Sequence, residues 1–112
     1  MRIEIKGRNL TVSDELTERV EKRFAKVGRQ VSALAELEIE LKEERNPSIR
    51  ESCVAEATLH LKGTTLRARE GSADITRSID LVANKLARQV KRHRDKRRRR
   101  REQRSETGES AP

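Results

Sequence analysis

The apolar residues of this chain stop at Val90, and that limit decides which part of it can fold. Of the 22 residues that follow, only Ala111 is apolar. Upstream the apolar residues fall in periodic runs, enough for a modest core in a single domain of a 112-residue chain. The segment from Lys96 to Pro112 has almost nothing to bury and is expected to be disordered. The expected division is a folded domain over 1–96 and a basic, polar, disordered tail over 97–112.

The periods give the elements. Met1, Ile3 and Ile5 alternate with Arg2, Glu4 and Lys6, the pattern of a half-buried strand. Ser13 fits a helix N-cap, with Asp14 and Glu15 favouring the first turn. Leu16, Val20, Phe24 and Val27 then form one helical stripe, and Gly28 is the expected stop. A second strand alternates Ala35, Leu37, Ile39 and Leu41 against Glu36, Glu38, Glu40 and Lys42. Arg45 to Arg50 reads as a loop around Asn46-Pro47. A third strand points Cys53, Ala55, Ala57, Leu59 and Leu61 inward, and Lys62-Gly63 turns it into a fourth strand from Thr64 to Glu70. A long helix begins near Asp74, with Ile75, Ile79, Val82, Leu86 and Val90 as its apolar stripe. The predicted fold is α+β, in the order β-α-β-β-β-α. A right-handed crossover makes the first two strands parallel, and both helices cover one face of a four-stranded sheet.

Charge is distributed as unevenly as apolarity. From Lys85 to Arg104 there are twelve basic and two acidic residues, a net +10 in a chain of net +8, so the remainder is slightly acidic. Clustered Lys and Arg on one element point to a polyanion as partner, because such contacts neutralise phosphates and release counterions. Placed at 100° per residue, Arg19, Lys22, Lys26 and Arg29 fall on one stripe of the first helix. Arg77, Lys85, Arg88, Arg92 and Lys96 form a comparable stripe on the second. The exposed face of the second strand is acidic and would repel phosphate, so the helical side is the candidate RNA contact.

A basic stripe is often only a solvated helix face. For Arg19 and Lys22 that reading is the stronger, since Glu15 and Glu18 precede them by four in the favourable orientation. Lys26 and Arg29 have no such partner. On the second helix Arg88–Arg92 and Arg92–Lys96 are like-charge pairs that each cost roughly 0.2–0.5 kcal/mol. Local stability does not account for them; an anionic partner does. The block from Lys96 to Arg101 carries less positional information, because such runs often act as flexible arms.

Other chemistries find little to use. His60 lies on the outward face of the third strand and His93 within the basic helix, neither with an obvious nucleophile or carboxylate partner by sequence. The lone Cys53 excludes an internal disulfide and is expected in the core. The glutamates of the second strand alternate as a solvated face should, and the five glycines are scattered at turns, so neither a metal site nor a phosphate-cradling loop is expected. With no Trp or Tyr and one core Phe, base stacking has no platform. No enzyme activity, cofactor, metal or small-molecule substrate is expected. No apolar stretch is long enough to span a membrane and MRIEIKGRNL does not read as a signal peptide, so a cytoplasmic protein is expected.

Three segments carry a family resemblance: IEIKGRNLTVSDELTERVEKRFAKV, VAEATLHLKGTTLRARE and SADITRSIDLVANKLARQVKRHRDK. Over Met1 to Lys96 the chain resembles the N-terminal domain of the ribosome hibernation promoting factors and ribosome-associated inhibitors. The resemblance implies a fold similar to double-stranded RNA-binding domains. It also implies binding to the small ribosomal subunit and its rRNA in the channel between head and body, over the places of messenger RNA and tRNA. Its basic positions map onto Lys22, Arg23, Lys26, Lys85, Arg88, Lys91 and Arg92. The C-terminal ribosome-pairing domain of long family members has no counterpart in the matched segment, and the run Arg97–Arg101 is denser than the family leads one to expect.

The expectation is therefore a stress-associated translation inhibitor, monomeric when free, that occupies the decoding region. Its RNA-binding residues are Lys22, Arg23, Lys26, Arg29, Arg77, Lys85, Arg88, Lys91, Arg92 and Lys96. The alternatives are a general double-stranded RNA or nucleic-acid binder without a ribosomal site and, less favoured, an anionic-membrane or protein-scaffold module. The membrane reading suffers because the second helix needs its apolar stripe for the sheet.

Overall fold

The computed structural model describes residues 1–44 and 51–110, the last eight of these as backbone only. Its elements are β1 (Arg2–Arg8), α1 (Asp14–Gln30), β2 (Glu36–Glu43), β3 (Cys53–Leu61), β4 (Thr64–Ser72) and α2 (Ile75–Ser110). The strands lie in the order β1-β2-β3-β4, with β1 parallel to β2 and the other pairs antiparallel. This is the α+β arrangement expected from the periodicities. The loop expected over Arg45–Arg50 lies outside the described residues.

Alternation sets the register. Ile3 pairs with Leu37 and Ile5 with Ile39; Leu37, Ile39 and Leu41 in turn pair with Leu59, Ala57 and Ala55. All of these point to one face, where Val20, Phe24 and Val27 of α1 and Ile79, Val82, Leu86 and Val90 of α2 complete one core. A slip of one residue would place the glutamates of β2 in that core, so the register is strongly specified. Because β1 and β2 are parallel, α1 runs back against them. The β3–β4 hairpin then sends α2 in the same direction as α1.

Local chemistry fixes the corners. Ser13 Oγ accepts from Leu16 N at 3.2 Å and caps α1, as expected. Gly7 is required by a close approach: a Cβ there would lie 2.2 Å from the Leu10 carbonyl oxygen. Asn9 follows with φ 58°, a left-handed conformation that Asn tolerates better than most residues. Gly63 has φ 79° in the β3–β4 turn. Asp74 Oδ1 accepts from Thr76 N at 3.0 Å, which starts α2. The Ser78 hydroxyl, fully buried, donates to Cys53 O at 2.6 Å and ties the first turn of α2 to β3.

Several details differ from expectation. Gly28 does not stop α1, which continues to Gln30; its missing side chain admits Met1, whose Cε would sit 3.3 Å from a Cβ. The fourth strand runs on to Ser72, because Gly71 and Ser72 still pair with Val54 and Cys53. Cys53 is half-buried at the margin of the core, not inside it, since it opens β3 beside the β4–α2 junction. The segment expected as a disordered tail has helical backbone through Ser110. Arg, Glu and Gln are good helix formers, and Arg98 and Glu102 add one i,i+4 pair at 3.4 Å. Val90 is nonetheless the last buried residue of α2 among those whose side chains are described.

Candidate nucleic-acid interface

α1 and α2 pack side by side on the sheet, and their outward faces are where the free cations collect. On α1, Lys22, Lys26 and Arg29 are exposed. On α2, Arg77, Arg88, Lys91, Arg92 and Lys96 are exposed. Among the described residues none of these eight has a carboxylate oxygen within 4.0 Å. Arg88, Lys91, Arg92, Lys96 and Arg99 border one open hollow along α2, interrupted only by Asp95. Unpaired like charges at this density repel one another until an anion intervenes.

Two of the ten candidate residues are differently employed. Arg23 donates to Asp80 of α2, with Nε 2.7 Å from Oδ1 and a terminal nitrogen 3.2 Å from Oδ2. Arg19 donates to the same carboxylate through Nε at 3.0 Å and a terminal nitrogen at 2.5 Å, a bidentate fork. The local Glu15–Arg19 pair read from the sequence therefore gives way to a bridge between the helices. The fork from Arg19 is the main cause holding the Asp80 carboxyl below its usual range; partial burial opposes it and Arg23 adds to it. Asp80 is thus a staple between α1 and α2, with a separation of 61 residues from Arg19 that sequence spacing cannot reveal.

Lys85 is the other case. It does not lie opposite the core stripe; it flanks it on the β4 side. Its Nζ donates to Arg69 O at 3.3 Å and lies 3.5 Å from Glu70 Oε1. Gln89 Nε2, one turn on, donates to Arg67 O at 2.8 Å. These two side chains cover carbonyls on the outer edge of β4, which would otherwise offer a template for strand pairing.

The opposite sheet face is polar and internally compensated. The β2 glutamates face Arg2, Glu4 and Lys6 of β1 on one side and His60, Thr58 and Glu56 of β3 on the other, with Arg67 and Arg69 of β4 beyond; Arg8–Glu40 lies at 3.8 Å and Arg69–Glu56 at 3.4 Å. His60, which showed no carboxylate partner by sequence, has Glu38 Oε2 at 3.5 Å from its Nε2. Among the described residues there is no group of three or more potential metal ligands and no helix apolar enough to cross a membrane.

The chain is thus a small α+β domain with a near-neutral sheet face and a cationic pair of helices, and its neighbours among known proteins agree on the fold. The chain matches the family model of the sigma 54 modulation protein / S30EA ribosomal protein over residues 3–98, and it belongs to that family. The ribosome hibernation promotion factor of Picosynechococcus sp. is 33% identical over 97 residues, covering 86% of this chain and 50% of the relative. The Staphylococcus aureus factor is 35% identical over 95 residues, covering 83% and 48%. The ribosome hibernation promoting factor of Salmonella typhimurium is 33% identical over 96 residues, covering 86% of this chain and 96% of the relative. The chain thus spans about half the length of the first two relatives and nearly all of the third. The Thermus thermophilus protein Y N-terminal domain superposes with a TM-score of 0.72 at 29% identity, over 83% of this chain and 99% of that one. A ribosomal subunit interface protein from Coxiella burnetii gives 0.70 at 22% identity, over 85% and 99%, a likeness of fold.

Proposed function

We propose that this chain is a ribosome hibernation factor that binds the small ribosomal subunit in its decoding channel and inhibits translation by occupying the places of tRNA and messenger RNA. The observation that carries this reading is the set of eight exposed, carboxylate-free cations on two adjacent helices, in a chain of this family. A surface of this kind suits folded rRNA, whose phosphates are read by position and shape and not by base stacking. Family relatives named for ribosome hibernation support the partner; the channel site rests on the family resemblance.

Within this reading the working contacts are Lys22, Lys26, Arg29, Arg77, Arg88, Lys91, Arg92 and Lys96. Arg23 and Lys85 contribute through the Asp80 staple and the β4 edge as much as through their charge. The folded domain over 1–96 does the binding as a monomer, and the segment 97–112 adds affinity. Chemistry plays no part: inhibition is steric exclusion, with the helices positioned by their burial against the sheet. Co-sedimentation with purified ribosomes against excess duplex RNA tests the proposal. Retention on ribosomes, with exclusion by pre-bound tRNA, is expected. Quantitative loss to the duplex competitor would instead make the chain a general RNA binder.

A further inference from the structure

Beyond Val90 the face of α2 that packs on the sheet changes character without changing direction. The positions that continue the stripe of Ile79, Val82, Leu86 and Val90 are His93, Lys96, Arg97 and Arg100. They overhang the tip of the β3–β4 hairpin and enclose with Lys62, Gly63 and Thr64 a cleft of about 550 Å³. Four permanent cations and one histidine line it, and no carboxylate does. None of the four has a carboxylate oxygen within 4.0 Å among the described residues, and the nearby Glu102 is engaged with Arg98 on another side of the helix. The cleft and the hollow on the outward stripe are separate depressions, and Lys96 stands at the border of both.

We propose that this cleft is a second binding site, for the phosphodiester backbone of an RNA strand. The proposal rests on the reading that the partner is RNA, and adds to it a site on the hairpin side of α2 that the outward stripe does not include. Several observations favour a backbone as occupant. From His93 to Arg100 the helix rises about 10 Å. A nucleic-acid strand carries on the order of one charge per 3.4 Å of axis, so the cleft spans roughly three phosphates. Its lining has no Phe, Tyr or Trp, and His93 is the one ring among four cationic side chains, so charge outweighs stacking surface. The left-handed Gly63, with no side chain, lets a strand approach the hairpin tip closely. A membrane is a poor occupant, since the apolar stripe of α2 is already spent on the core. The dense arginine run thus gains a definite geometry: Arg97 and Arg100 face the cleft, while Arg98 and Arg101 do not line it.

The test uses the full chain and two double variants of equal net charge. Lys62→Ala with Arg97→Ala removes cleft cations; Arg94→Ala with Arg101→Ala removes two exposed cations outside both surfaces. Binding is measured at several KCl concentrations on purified ribosomes by sedimentation and on a fluorescein-labelled RNA hairpin by anisotropy. The cleft pair should flatten the slope of log affinity against log salt by about 1.4–1.8, at 0.7–0.9 per lost contact, and the control pair by clearly less. Equal effects of the two pairs, or no effect of the cleft pair, would overturn the site. If wild type binds the hairpin but not ribosomes, the ribosome reading fails and the hairpin arm still decides the cleft; binding to neither overturns both. A measurement that needs no variant accompanies these. Amide resonances of Lys62, Gly63 and Thr64 in the labelled wild type should shift on titration with the RNA hairpin, and unmoved resonances would count against the cleft.

Discussion

Charge reversal on the outward face of α2 is the sharpest test of the helical interface. Arg88→Glu with Arg92→Glu changes two exposed positions that have no carboxylate partner among the described residues. The fold should hold, because both side chains point away from Val82, Leu86 and Val90. Locally the Arg88–Arg92 repulsion becomes a Glu–Glu repulsion of similar size. The Arg92–Lys96 repulsion becomes a favourable Glu–Lys pair, a change of roughly 0.4–1 kcal/mol in the helix's favour. Binding should suffer far more. Each exposed arginine–phosphate contact is worth about 1 kcal/mol, and reversal replaces it with a repulsion of similar magnitude. Two positions thus come to ~4 kcal/mol, on the order of a thousandfold in Kd. The assay is a cell-free translation titration beside ribosome sedimentation, with circular dichroism to verify folding. Reversal of Glu38 on the compensated sheet face is the control and should not weaken binding. A folded double variant that inhibits at the wild-type concentration would refute the helical interface and move the activity to another surface.

Wild-type affinity for ribosomes should fall steeply with salt. With about six phosphates neutralised the slope of log affinity against log salt is roughly −4 to −5, and a flat response would remove the electrostatic basis. Deleting 97–112 should leave the thermal midpoint nearly unchanged, since Val90 is the last buried residue of α2 whose side chain is described, while weakening ribosome binding. A large loss of stability would make that segment structural. Asp80→Asn should lower the midpoint by about 4 °C, for a cost of about 1 kcal/mol at neutral pH. Because Arg19 and Arg23 depress the Asp80 pKa in the folded state, its contribution is present above the unfolded value and lost as pH falls through the folded one. The gap between wild type and variant should therefore close only in acid, and a pH-independent gap would mean the staple acts by packing alone.

The fold was legible because its elements obey simple periods. The strict alternation from Ala35 to Lys42 defines β2 and its inward face, and the stripes of α1 and α2 supply the other half of the core. Gly28 misled because glycine has two uses. It ends helices by its conformational freedom, and here it stays helical and serves by its lack of volume, which only the position of Met1 makes evident. The candidate interface was legible in its broad placement on the helices. Helical phase alone could not separate Arg88, which faces solvent, from Lys85, which flanks the core and reaches the β4 edge. The Asp80 staple was invisible because its partners are distant in sequence. The hairpin cleft left a weaker trace. Once α2 follows β4 back over the sheet, the turn at Lys62-Gly63 must lie beside the residues that follow Val90. The histidine and cations at the core-facing phase there could have been read as its second wall.

The two halves of α2 illustrate how a helix can carry this much like charge. Before Val90, Ile79, Val82, Leu86 and Val90 are buried, each worth about 1.5–3 kcal/mol, against which repulsions such as Arg88–Arg92 are small. The sheet thus holds the outward stripe in a fixed pose whether or not an anion is present. After Val90 that anchor ends while the charge density rises: Lys96–Arg100 and Arg97–Arg101 are like-charge i,i+4 pairs, Asp95 is the one acidic residue between Val90 and Glu102, and Arg98–Glu102 is the one ion pair within 4.0 Å among the described side chains there. On the proposed reading helix and polyanion stabilise each other here, since phosphates that neutralise the arginines would remove the repulsion that opposes the helix. The proximal half is therefore suited to set where the protein docks, and the distal half to add affinity once docking has brought RNA to it. This ordering follows from where the apolar stripe stops.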